Sequence, residues 1–168
     1  TATATGTPTT NPLAISKLVL INATTDQPVA GFNPLLTGAT INLATTGSSL
    51  NIQAIPVGAV GSVRFTLDTN ATINENIAPY SIAGDNNGNF NSWTPSLGAH
   101  TLKVQAFSGA NGGGTPGPIY TINFTVINST GPTATPTATP VVTGPTVTNV
   151  TLINANTDQP VAGFNPLN

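Results

Sequence analysis

Apolar and polar residues alternate along most of the chain with a period of two, and no stretch carries the stripe at every third and fourth position that marks an amphipathic helix. The alternation predicts strands over Ile15 to Asn22, Ala39 to Ala44, Leu50 to Pro56, Ser62 to Leu67, Ile73 to Tyr80, His100 to Phe107 and Ile119 to Ile127. One face of these runs collects Ile41 and Leu43; Leu50, Ile52 and Ala54; Val63, Phe65 and Leu67; Leu102, Val104 and Ala106; and Tyr120, Ile122, Phe124 and Val126. Their neighbours Asn51, Gln53, Arg64, Thr66, Thr101, Lys103, Gln105, Thr121, Asn123 and Thr125 are expected to face water. Turn residues separate the runs, at Val57-Gly58, at Asn86 to Gly88 and through Gly109 to Pro118. About seven short strands punctuated in this way make an all-β fold, an antiparallel sandwich.

One segment occurs twice. Leu20 to Leu35 reads LINATTDQPVAGFNPL and Leu152 to Leu167 reads LINANTDQPVAGFNPL, with one residue different. The offset of 132 positions is the span of a whole domain plus a linker, too long for a solenoid unit. Each copy follows a stretch rich in Thr and Pro, Thr1 to Pro12 before the first and GPTATPTATPVVTGP, Gly131 to Pro145, before the second. Proline fixes φ and removes a donor, so these stretches are expected to run as extended, semi-rigid polyproline-II spacers. The expected organisation is a linker over residues 1–13, a sandwich over 14–129, a second linker over 130–146, and residues 147–168 as the first strand or strands of a further repeat. On this view the chain is one repeat cut from a longer, polymer-like protein. Val147, Asn149, Val150, Leu152 and Ile153 belong to the repeated strand, which either starts the next covalent domain, the plainer alternative, or is donated to a neighbouring subunit by β-augmentation.

Composition narrows the function. Apolar residues make up 38% of the chain, enough for one core, but only 5% are charged, so threonine, serine and asparagine take over the polar surface. A net charge of −2 with three basic residues leaves no patch to neutralise phosphates or anionic lipid, which argues against nucleic acid. The absence of cysteine removes disulfides, thiolate metal sites and cysteine nucleophiles. No apolar run approaches the roughly 18 residues that span a bilayer, so membrane insertion is not expected, and the first residues do not read as a signal peptide.

The segments LINATTDQPVAGF, GSVRFTLD, ENIAPYSIAGD, NFNSWTPSLGAHTLKVQAFSGANGGGTPG and YTINFTV, spread from about Ile15 to Asn128, resemble the immunoglobulin-like repeats of large bacterial secreted and cell-surface proteins, some of them appended to glycosidases. The resemblance implies an immunoglobulin-like β-sandwich used as a module, outside the cell or on a bacterial surface. It supplies no catalytic residue. The chain departs from antibody domains in having no cysteine pair and in placing Trp93 in a loop before a strand.

Catalysis needs groups that are scarce here. His100 is the single histidine, there is no nucleophile-elbow motif, and Asp68 and Asp85 stand in turn-like contexts where carboxylates cap N–H groups, so no enzyme activity, cofactor or zinc site is expected. Asp85, Asn87 and Asn89 space oxygens at every second position as a calcium loop does, but Gly88 falls one place early and no bidentate glutamate follows; a hairpin with Asx turns is preferred. Sequons begin at Asn22, Asn70, Asn123, Asn128 and Asn149, and the Pro-flanked Thr133, Thr135, Thr137 and Thr139 are candidates for O-glycosylation. Glycans there would supply hydration that charge does not. Trp93 is a candidate sugar-stacking platform, although a lone tryptophan beside Pro95 more often plugs a sandwich end. Lys17 or Lys103 joined to an asparagine, with Glu75 as catalyst, is a minor isopeptide alternative.

The sequence therefore points to a structural repeat of an extracellular filament, sheath or surface stalk, glycosylated and partnered by copies of itself. An adhesin or carbohydrate-binding module, with ligand loops at Gly84 to Trp93 and Ser108 to Pro118, is the alternative.

Overall fold

The computed structural model describes residues 12–131 and, in the second copy of the repeated segment, residues 153, 154, 156, 157, 159 and 160. Two sheets face each other in an immunoglobulin-like β-sandwich. In the first, β1 (Ala14–Asn22) lies between β2 (Gln27–Pro28) and β4 (Leu50–Val57). The β1–β4 pairing is antiparallel, from Ala14 opposite Val57 to Asn22 opposite Leu50, with a register shift at Ser16. Past β2 the chain continues along the other edge of β1 as a strap, with Val29 donating to the Leu20 carbonyl at 2.8 Å, Leu20 to the Phe32 carbonyl at 3.1 Å and Leu35 to the Leu18 carbonyl at 2.8 Å.

The second sheet runs in the order β3 (Ala39–Asn42), β10 (Tyr120–Ile127), β9 (Gly98–Phe107), β5 (Ser62–Leu67), β6 (Ile73–Glu75). All neighbours are antiparallel except β3 and β10, which are parallel. Alternation puts Val63 and Phe65, Leu102 and Val104, and Ile122, Phe124 and Val126 on the inner face, against Leu18, Leu20, Leu50 and Ile52 of the first sheet. Burying each side chain of this size contributes about 1.5–3 kcal/mol, so the two inner faces are the main source of stability. Leu43, Leu67 and Tyr120 pack partly buried at the margin of that core.

Three expectations need correction. The run from Ala39 ends as a strand at Asn42, because the Asn42 side chain accepts from the Ala44 N–H at 3.1 Å and caps one helical turn, α1 (Leu43–Thr46), which Gly47 closes at φ 77°. The run from Ile73 ends at Glu75, and the chain crosses over to β4, where the Ala54 N–H meets the Tyr80 carbonyl at 2.8 Å. Residues 80–93 then cover the outer edge of β4, with Ile82 donating to the Ile52 carbonyl and Leu50 and Trp93 exchanging bonds of 3.1 and 2.6 Å. This cover removes Asn51 from water: it is fully buried, its Nδ2 donating to the Gly84 and Asn91 carbonyls and its Oδ1 accepting from Ile52 and Ala83. Strand β1, to which alternation assigned no wet face, is apolar on both, since Val19 and Ile21 are buried beneath Phe90 in a second, smaller cluster. Phe90 arrives on a hairpin of β7 (Asp85–Asn86) and β8 (Asn89–Phe90), whose turn residues Asn87 and Gly88 both have positive φ, 53° and 89°.

The second copy forms a hairpin of β11 (Ile153–Asn154) and β12 (Gln159–Pro160). Ile153 stands opposite Pro160 and Asn154 opposite Gln159, as Ile21 stands opposite Pro28 and Asn22 opposite Gln27. The local bonds repeat as well. Asn156 donates to Asn154 Oδ1 at 2.9 Å and Thr157 to the Asn154 carbonyl at 3.2 Å, matching Thr24 on Asn22 Oδ1 at 2.9 Å and Thr25 on the Asn22 carbonyl at 3.2 Å.

Candidate functional site

The two ends of the sandwich are the places where a repeat would be joined to its neighbours. The chain arrives at one of them: the backbone of Gly117, just before β10, lies so close to Leu13, just before β1, that a Cβ on Gly117 would fall 2.6 Å from the Leu13 carbonyl oxygen. Strand β10 then runs the length of its sheet and finishes with Val126 opposite Gly98 and Ile127 beside Asn42. There the Asn42 carboxamide holds Ser129 by both main-chain groups, Nδ2 donating to its carbonyl at 2.9 Å and Oδ1 accepting its N–H at 3.0 Å. Arrival and departure are at opposite ends, separated by a strand of eight residues, about 26 Å at the usual rise.

Near the departure end, His100 on β9 is buried and stacks on Phe124 with ring centroids 5.3 Å apart. Its Nδ1 meets Asp68 Oδ2 at 2.8 Å and its Nε2 meets the Ser96 carbonyl at 2.8 Å. Both nitrogens face acceptors, so the ring is best bonded with two protons. Burial pulls the imidazole down, but the Asp68 hydrogen bond, the Ser96 carbonyl and the Asp68 charge outweigh it and hold the pKa above the ordinary histidine value. Asp68 is held below the usual carboxylate range, first by the Thr101 N–H and then by His100. The pair ties the turn after β5 to the segment before β9, a structural role.

A groove of about 640 Å³ lies at the outer edge of β6, lined by Asn74, Glu75, Asn76, Ile77, Pro79 and Asp85 to Gly88 among others. Burial, and then the charge of Asp85, push the Glu75 carboxyl up. Of the calcium candidates, Asp85 uses Oδ1 to accept the Gly88 N–H at 2.6 Å, within the Asx-stabilised hairpin, while Asn87 is exposed on its turn and Asn89 is exposed at the start of β8. Among the described residues no group of three or more His, Asp and Glu is placed to hold a metal ion, and no helix is long and apolar enough to cross a membrane.

No family model matches the chain, and no curated protein matches it. Among solved structures it is similar to the fibronectin(III)-like modules of Clostridium thermocellum CbhA, at 17% identity and a TM-score of 0.38, over 56% of this chain and 94% of that one. The sandwich stands on the pairing described above and takes nothing from this likeness.

The remaining candidates are scattered. Trp93 is partly buried, its backbone bridged to Leu50 and its side chain packed against the main core. Asn22 spends its Oδ1 on the Thr24 and Thr25 N–H groups. Asn70 is exposed in the turn after β5, Asn128 is exposed beside the Asn42 bonds, and Asn123 is exposed with its Oδ1 taken by the Thr101 hydroxyl at 2.8 Å. Lys17 reaches Asn33 Oδ1 at 2.9 Å, while Glu75 sits on the edge strand of the other sheet, so that acid does not stand at this pair. Ile153 is 45% exposed. Asn149, Thr133, Thr135, Thr137, Thr139, Val147, Val150 and Leu152 lie outside the described residues. What sequence reasoning missed is Asn42, whose Asn-Leu-Ala-Thr context signals a helix cap but not its grip on Ser129.

Proposed function

We propose that this chain is a non-catalytic structural repeat of an extracellular array, filament or surface stalk, in which one sandwich follows another in line. The observation that carries this is the reproduction, 132 positions on, of the β1–β2 hairpin register by β11 and β12, in a sequence that is otherwise a near-copy. A segment that repeats both the residues and the turn of a sandwich opening is fitted to open another sandwich. Arrival and departure at opposite ends support extension, because each linker then carries the next module away from the last. The low charge and the exposed Asn70 and Asn128 suit glycans as the source of surface hydration. Imaging of the native material together with intact mass tests the proposal: beads spaced regularly along a line, heavier than the polypeptide by glycan mass, are expected, whereas discrete compact particles would refute it.

A binding module is the second reading, favoured by the groove beside β6, whose amides and carboxylates suit sugar hydroxyls. A glycan array probed with the chain and with Asn76→Ala tests it; binding lost in the variant would support it, and blank arrays would dismiss it.

A further inference from the structure

Strand β1 occupies a slot that is walled on both sides. One wall is β4, in register from Ala14 opposite Val57 to Asn22 opposite Leu50, and the other is the strap of Val29, Phe32 and Leu35. The far edge of β4 is taken too, by Tyr80, Ile82 and Trp93. A strand brought to this sheet by another molecule therefore finds no free edge on β4 or β1. It can pair with β4 in this register only by taking the place of β1, through the same main-chain bonds.

Residues 146–167 offer a counterpart for every residue from Ala14 to Leu35. Val147, Val150 and Leu152 correspond to Ile15, Leu18 and Leu20, which fill the core, and Phe164 and Leu167 repeat the strap residues Phe32 and Leu35. The described part of this segment already has the β1–β2 turn and register. Ile21 is 2% exposed beneath Phe90 and its counterpart Ile153 is 45% exposed.

We infer that β1 is exchangeable: the second copy from one chain takes the β1 slot of another copy of this chain, with residue 153 opposite Asn51 and residue 154 opposite Leu50, and so links two molecules. This rests on the proposal that residues 146–167 open the same sandwich. The resident strand has the advantage, because Ile15 and Leu18 each carry one methylene more than Val147 and Val150, and Thr151 stands where the buried Val19 does. Exchange is therefore displayed when β1 is disabled.

The test mixes two full-length chains. The host carries Leu20→Asp and Leu152→Asp, placing a charge at a fully buried position so that neither of its own copies fits the slot; the donor is unaltered. Expected are a host without a cooperative melt, recovery of that melt with excess donor in a one-to-one complex, and no recovery with a Leu152→Asp donor. A host that stays unfolded beside the unaltered donor, or that recovers equally with the Leu152→Asp donor, overturns the inference. If the host folds unaided, disulfide capture decides between Ile55→Cys in the host and Asn149→Cys in the donor, since Lys17, the counterpart of Asn149, stands opposite Ile55. The chain has no cysteine of its own, so a covalent dimer reports exchange and its absence overturns it. A chimera with residues 146–167 spliced in place of 14–35 separates the two failures. Folding of the chimera without rescue of the host defeats exchange alone, whereas a chimera that cannot fold defeats the shared sandwich opening and exchange with it.

Discussion

The Asn42 carboxamide grips the backbone of Ser129 from both sides, accepting its N–H and donating to its carbonyl, 87 residues away in sequence. The same side chain caps α1 through the Ala44 N–H. One buried residue thus fixes both the corner after β3 and the point at which the chain leaves the sandwich.

Removing that grip uncaps the helical turn and leaves a main-chain N–H and carbonyl to be satisfied by solvent. Asn42→Ala is expected to cost about 1–3 kcal/mol, read by chemical denaturation, and to increase hydrogen exchange at Ser129. An unmoved midpoint with unchanged exchange would contradict this role.

Asn51 is the centre of the bonds that hold residues 80–93 on β4. Asn51→Ala removes the side-chain partner of the Asn91 carbonyl and of the Ile52 and Ala83 N–H groups, while the Gly84 carbonyl keeps the Asn91 N–H, and is expected to cost about 1–3 kcal/mol. Thr121→Ala, at an exposed position of β10, is expected to stay within about 0.5 kcal/mol of the parent. Equal effects of the two substitutions would contradict the burial of Asn51.

These two positions also show how far the sequence could be read. Strands β9 and β10 obey simple alternation, so Leu102, Val104, Ile122, Phe124 and Val126 were legible as core. Alternation assumes one wet face, and it fails where the chain folds back over the other. Asn51, Val19 and Ile21 are covered by residues 80–93, a segment without regular periodicity that no local pattern assigns to β4. Arg64, expected in water, sets its guanidinium 4.6 Å from the centre of the Phe107 ring, a cation–π contact that alternation cannot show because it joins side chains of two different strands. The repeat was legible because it is a match of residues; its register, and the placement of Leu13 and Ser129 at opposite ends of the sandwich, needed contacts between distant segments.

The His100–Asp68 pair gives stability a pH dependence. A base whose pKa is higher in the folded state adds stability below its unfolded value, about 6.5, and loses it as pH rises through the folded value. An acid whose pKa is lower when folded contributes above about 3.9 and loses that as pH falls through its folded value. The pair is therefore strongest between roughly pH 4 and 6. The Tm gap between the parent and His100→Phe is expected to be wider at pH 5 than at pH 8 by about 2–5 °C; a gap that does not change with pH would contradict the pairing.

Glu75 works in the opposite sense. Burial and the facing Asp85 make its ionised form costly, and no hydrogen bond among the described residues repays it. Glu75→Gln is expected to raise stability at pH 7 by no more than about 0.5 kcal/mol, because solvent screens this partly exposed site, with the gain fading toward pH 4 as the parent carboxyl takes up its proton. A loss of stability at pH 7 would show that the carboxylate has a favourable partner.

The central claim is that residues 146–167 open a second sandwich and that successive sandwiches run in line. Small-angle scattering on residues 14–167 continued by residues 36–131 tests it most directly, because the second sandwich in that chain can fold only on the natural second copy. Two folded bodies held apart by the Thr/Pro spacer are expected, with a largest dimension on the order of 100 Å, given strands of about 26 Å and about 3.1 Å per spacer residue. One folded body trailing an unfolded half, or a single compact particle of about 60 Å, would contradict the account.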